Sequence, residues 1–124
     1  MINIKPLKAY TDNYIWLLET NEEVSVVDPG DAKPVLDYLS KTNKNIRDIF
    51  ITHHHFDHTA GVPELENIIS GSIYGPKNSY ELINEKVTQG DTLSSLGIKF
   101  EIIEVPGHTL DHIAFYNEEN DILF

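Results

Sequence analysis

All six histidines of this 124-residue chain fall in two short segments. His53, His54, His55 and His58 lie in Thr52-His53-His54-His55-Phe56-Asp57-His58, and His108 and His112 lie in Pro106-Gly107-His108-Thr109-Leu110-Asp111-His112. Histidines used as ordinary core or surface residues would scatter along the chain. Imidazoles clustered beside a carboxylate, directly after a β-rich run, suit a borderline divalent cation such as zinc. In an extended segment His53 and His55 project to one side and His54 to the other. Asp57 and His58 follow where the chain must turn, within reach of a second ion beside the first. A lone His-x-His is common on surfaces, whereas His-x-His-x-Asp-His is far more specific. His54 reads as a bystander, and His112, which opens a strand pattern, as a hydrogen-bonded structural histidine. Asp28, before Pro29-Gly30, reads equally well as a turn former or as a carboxylate that orients a ligand.

The elements around these residues are mostly strands. Ile2 and Ile4 alternate with polar neighbours, a short strand pattern. Tyr14–Leu18 and Val24–Val27 flank a polar break and predict a hairpin, ended by Asp28-Pro29-Gly30. Asp31 is the expected N-cap of a helix through about Ser40, with Val35, Leu36 and Leu39 inward. Ile46–Ile51 is a β-rich run that stops where the histidines begin. A helix is expected over Val62–Ile69 with Leu65, Ile68 and Ile69 buried, then a strand at Ser72-Ile73-Tyr74 terminated by Gly75-Pro76. Ser79–Val87 is read as helical. Thr92–Leu96 with Ile98–Val105, and His112–Tyr116 with Asp121–Phe124, form two further hairpin patterns. Strands with interspersed helices predict a layered α/β fold around a mixed sheet. An apolar strand at Ile122-Leu123-Phe124 with no polar tail points to a truncated chain, and its edge invites self-association.

Composition narrows the function. The net charge of -11 and the pI near 4.7 oppose nucleic acid and anionic membrane surfaces as partners. They also oppose an anionic small substrate unless metal ions reverse the field locally. With no cysteine, disulfides and thiolate ligands are excluded. No run approaches the roughly 18 apolar residues of a membrane span, and the N-terminus lacks a basic start before an apolar stretch. A single soluble, cytoplasmic domain over residues 1–124 is the expectation.

These motifs resemble the metallo-β-lactamase superfamily, marked by His-x-His-x-Asp-His and a later histidine. Within it the chain is most similar to the glyoxalase II (hydroxyacylglutathione hydrolase) family. Thr11-Asp12-Asn13-Tyr14-Ile15-Trp16, Val27-Asp28-Pro29-Gly30-Asp31 and Pro106-Gly107-His108-Thr109 with His112 carry that resemblance, in family order and across essentially the whole chain. It implies an αββα sandwich, of which this chain is the N-terminal half. It implies that His53, His55 and His108 hold one metal ion and that Asp57 and His58 help to hold a second. The ions would be zinc, with iron or manganese as alternatives. Asp57 would also act catalytically, by holding the attacking water. The implied reaction is hydrolysis of a glutathione thioester to a 2-hydroxy acid and glutathione, as in methylglyoxal detoxification. The family's bridging aspartate, in Gly-Asp-Thr-Leu, would follow Phe124. The last metal-binding histidine and the helical, glutathione-binding C-terminal part are also missing from this sequence, so weak or absent activity is expected of the chain alone. The competing readings are a non-catalytic metal-binding fragment and a relative of the single-iron persulfide dioxygenases.

Overall fold

A computed structural model of the protein describes residues 2–9, 13–77, 80–105 and 112–124. Strands β1 (Asn3–Ala9), β2 (Asn13–Glu19) and β3 (Glu23–Val27) form the expected antiparallel start, with β2 and β3 as the predicted hairpin. The Thr20 hydroxyl accepts from the Glu22 and Glu23 amides and closes the turn. β1 runs well past Ile4 and through Pro6. It is an edge strand, where a residue without an N–H is tolerated.

Helix α1 (Ala32–Thr42) starts at Asp31, whose carboxylate accepts from the Lys33 amide, and ends at Asn43 in the left-handed conformation. Its inner stripe is Ala32, Val35, Tyr38 and Leu39. Leu36, expected inside, is exposed because it lies off that stripe. β4 (Asn45–Phe50) follows, parallel to β3. The expected Val62–Ile69 helix is shorter: α2 (Phe56–Thr59) and α3 (Val62–Leu65) are single turns, and Glu66–Ile68 is 3-10. Ile68 therefore faces solvent while Leu65 is fully buried.

β5 (Ile73–Pro76) includes the Gly75-Pro76 pair expected to end it. It does so because β6 (Glu85–Val87) pairs alongside in parallel, Gly75 opposite Lys86 and Pro76 opposite Val87. β6 replaces the end of the helix expected over Ser79–Val87. Ile83 is drawn into the core, the Asn84 side chain accepts from the Ile73 amide, and edge pairing overrides local helix propensity. The second sheet holds β7 (Thr92–Ser95), β8 (Ile98–Glu104), β9 (Ile113–Asn117) and β10 (Ile122–Leu123), all antiparallel, as the two hairpin patterns predict.

The first sheet, in the order β1-β2-β3-β4-β5-β6, is apolar on both faces. Ile15, Leu17, Val24, Val26, Ile49 and Ile51 meet the helices. Leu18, Val27 and Phe50 meet Phe100, Ile102 and Phe115 of the second sheet. Phe50 stacks on Phe115 at 4.7 Å and meets Phe100 edge-on at 5.3 Å. Helices on one face and a second sheet on the other give the α/β/β part of the expected αββα sandwich. One polar group interrupts the apolar seam: buried Asp48 of β4 accepts from Ser95 Oγ at 2.7 Å, and Ser95 Oγ meets Ser25 Oγ at 2.6 Å. The other Asp48 oxygen accepts from the Ser72 amide. Among the described residues, no helix is long and apolar enough to cross a membrane.

At the far end of β2, the Glu19 carboxylate accepts from Tyr38 Oη at 2.5 Å and from Lys44 Nζ at 2.9 Å, tying α1 to the sheet. Burial opposes the Glu19 charge, but these two donors outweigh it and hold its pKa below the usual carboxylate value. Burial and the Glu19 contact push Tyr38 up to about 12. The depressed Glu19 contributes stability above its unfolded pKa that is lost as pH falls through its folded value. Tyr38 contributes stability below its unfolded pKa of 10.0 that is lost as pH rises towards 12. Tyr38→Phe is therefore expected to cost about 1–2 kcal/mol at neutral pH and to raise the pH at which acid unfolding begins. Urea melts from pH 3 to 11 check this; superimposable acid limbs for wild type and variant would contradict it.

Candidate metal centre

The histidine segment leaves the C-terminal end of β4 beside the end of the parallel strand β3, a position where α/β folds commonly place functional groups. Asp28 immediately follows β3 and holds a positive φ of 51°, and its amide donates to the Phe50 carbonyl at 2.8 Å. That turn delivers its carboxylate to the histidine loop. Oδ1 accepts from the Thr52 amide at 2.8 Å, and Oδ2 accepts from Thr52 Oγ1 at 2.6 Å and from His58 Nδ1 at 3.0 Å. Gly30 packs so closely that a Cβ there would stand 1.9 Å from the Asp57 carbonyl oxygen. The Gly61 amide donates to the Pro29 carbonyl at 2.8 Å, closing the other side of the loop.

The structure gathers His53, His55 and His58. The His53 ring lies 4.9 Å from His55 and 4.2 Å from His58. His53 is buried, while His55, Asp57 and His58 are partly buried along the short α2 turn. His54 is exposed, with its ring edge-on to His55 at 5.3 Å. His58 Nε2 stands 3.8 Å from Asp57 Oδ2. Two donors at about 2.0–2.2 Å from one zinc ion can be separated by at most roughly 4.4 Å, so this pair can share a cation. Asp28, His53 and His58 also bring ligand atoms within 4.8 Å of one another. Both Asp28 oxygens already accept hydrogen bonds, an arrangement that suits a carboxylate orienting its histidine neighbour. The turn-forming reading of Asp28 is seen directly, and its contact with His58 is compatible with the ligand-orienting one. His108 lies outside the described residues.

Protonation suits metal binding. Burial first, then the facing His58, hold His53 well below the ordinary histidine range, so its imidazole is neutral at pH 7. His58 is shifted up, chiefly by its hydrogen bond to Asp28. An ionised Asp28 can only accept, so His58 carries its proton on Nδ1 and presents the Nε2 lone pair. Imidazoles beside carboxylates are a donor set that fits zinc.

Two further residues border the histidine cluster. His112, read as a structural histidine, stands with its ring 4.6 Å from His53 and lines the same cleft. It arrives there because the next amide, Ile113, donates to the Thr52 carbonyl at 3.0 Å and docks β9 against the histidine loop. Thr52 carried no signal beyond its place before the first histidine. The cleft, of about 620 Å³, is also lined by Tyr14 and Trp16, whose rings lie 6.1 Å apart.

Comparisons with known proteins agree with this geometry. The metallo-beta-lactamase superfamily model matches residues 11–124. The hydroxyacylglutathione hydrolase of Pseudoalteromonas translucida (strain TAC 125) is 48% identical over 126 residues, covering 96% of this chain and 48% of that protein. The enzyme of the same name from Chromohalobacter salexigens is 46% identical, over 94% of this chain and 47% of its own length. The chain thus spans about half the length of the curated relatives it matches. The crystal structure of the BLEG-1 B3 metallo-beta-lactamase superposes with a TM-score of 0.83 at 20% identity, over 100% of this chain and 70% of that one, a likeness of fold. A histidine loop held at the ends of parallel strands, in a fold and sequence that match this widely, places the chain in the metallo-beta-lactamase superfamily.

Proposed function

We propose that this chain is the N-terminal part of a metallo-β-lactamase-like domain in a hydroxyacylglutathione hydrolase, the enzyme that cleaves S-(2-hydroxyacyl)glutathione to a 2-hydroxy acid and glutathione. The observation that carries the proposal is the convergence of His53, His55 and His58 with Asp57 at the end of β4. The relatives named for this reaction, 41–48% identical, support the substrate class. In this reading His53, His55 and His108 hold one zinc ion, and Asp57 and His58 contribute to a second.

Bound there, divalent zinc supplies Lewis acidity and makes water a usable nucleophile near neutral pH. Asp57 accepts a hydrogen bond from the attacking water and aligns it with the thioester carbonyl. Asp28 holds the His58 ring in place from behind. The departing thiolate is a good leaving group and requires little acid assistance. The cations also offset the net negative charge that would repel an anionic glutathione thioester. By the resemblance, the groups that would hold glutathione, and a further metal-binding carboxylate, would lie in the part of the relatives that this chain does not cover. The 124-residue chain alone is therefore expected to turn over substrate slowly or not at all.

Elemental analysis of chain purified without chelator tests the metal reading. About one zinc per chain, lost in His53→Ala, is the expected result for the three-histidine site. Iron in place of zinc would favour a dioxygenase-like relative, and no metal would remove the basis of the proposal. Thioester cleavage is followed alongside; turnover by the bare chain equal to that of a full-length relative would overturn the expected impairment.

A further inference from the structure

Thr52 uses every polar atom it has, and together they tie Asp28, His53 and β9 to one another. Its amide donates to Asp28 Oδ1 and its carbonyl accepts from the Ile113 amide. Its hydroxyl donates to Asp28 Oδ2 at 2.6 Å and lies 2.9 Å from His53 Nδ1. A hydroxyl has one proton, and here it is committed to a carboxylate that can only accept. Towards His53 the hydroxyl oxygen must therefore accept, which places the imidazole proton on Nδ1 and the lone pair on Nε2. Asp28 imposes the same tautomer on His58 directly.

We infer that Thr52 is a positioning residue of the metal centre, relaying Asp28 to His53 so that His53 presents Nε2 to the ion. The inference rests on His53 being a ligand, as proposed above. Through this relay one buried carboxylate orients a histidine of each of the two ion sites, so the sites share a single support. Thr52→Val keeps the shape and both backbone bonds but removes the relay. Thr52→Ser keeps the relay.

The test uses the 124-residue chain at neutral pH. Long-range 1H–15N correlation spectra of metal-free protein identify the protonated nitrogen of His53. Nδ1 is expected in wild type and Thr52→Ser, with Nε2 or a mixture in Thr52→Val. Zinc affinity, from competition with a chromophoric chelator, is expected to fall about tenfold or more in Thr52→Val and to stay near wild type in Thr52→Ser. The visible spectrum of the cobalt-loaded Thr52→Val chain should shift as well. A wild-type His53 protonated on Nε2 overturns the relay whether or not the valine variant folds. Equal zinc affinity and identical cobalt spectra in folded valine and wild-type chains overturn it too. Wild type that binds no zinc, yet shows His53 protonated on Nδ1, removes the ligand role of His53 while the relay stands.

Discussion

Asp28→Ala is expected to lower metal affinity by about 100-fold and to destabilise the metal-free chain by about 3–5 kcal/mol. The two effects share a cause. The carboxylate is buried, yet it satisfies the Thr52 amide, the Thr52 hydroxyl and His58 Nδ1. Alanine leaves three donors in a region with little water, at roughly 1–3 kcal/mol for each group that finds no substitute. His58 loses the acceptor that fixes its ring, and with it the stabilisation of its protonated form. Isothermal titration with zinc and urea unfolding of the metal-free protein measure the two quantities separately. A variant with wild-type zinc affinity would reduce Asp28 to a turn residue and remove its part in the centre.

Gly30→Ala is expected to cost about 4 kcal/mol or more, which makes it the most damaging single-methyl change in the loop. The added carbon would meet the Asp57 carbonyl oxygen at 1.9 Å and its carbon at 2.6 Å, and both are backbone atoms. No rotamer change relieves such a contact. Either the Pro29–Asp31 turn or the first turn of α2 must move, and the latter carries Asp57 and His58. Metal binding should fall together with stability. Chemical denaturation with and without zinc checks this: a loss under about 1 kcal/mol would mean that the loop yields easily and that its close packing has little to do with ligand placement.

The parts legible in the sequence were those governed by neighbours along the chain. The projection of His53 and His55 to one side follows from residue spacing, and the turn carrying Asp57 and His58 follows from the end of a β-run. The hairpins of β2 with β3, β7 with β8 and β9 with β10 were likewise written in local alternation. What escaped depends on contacts that spacing cannot show. Asp28 reaches Thr52 across 24 positions and His58 across 30. His112 joins the cleft only because β9 docks at Thr52. The stretch ending in β6 reads as helical until Tyr74 opposite Glu85 supplies a strand partner.

The polar pin of Asp48, Ser95 and Ser25 has a consequence for how finely the centre can be tuned. The histidine loop grows from one sheet and His112 from the other, so any sliding of sheet on sheet would change the spacing across the cleft. Apolar side chains oppose such sliding weakly, since one greasy contact replaces another at little cost. A buried carboxylate gripping one particular serine has no equivalent partner one step along the strand. The pin thus acts as a vernier stop: it sets the gauge of the cleft from within the seam, without touching substrate or ion. Substitutions at Ser95 should then broaden the geometry of a bound cobalt ion while leaving all of its ligands in place.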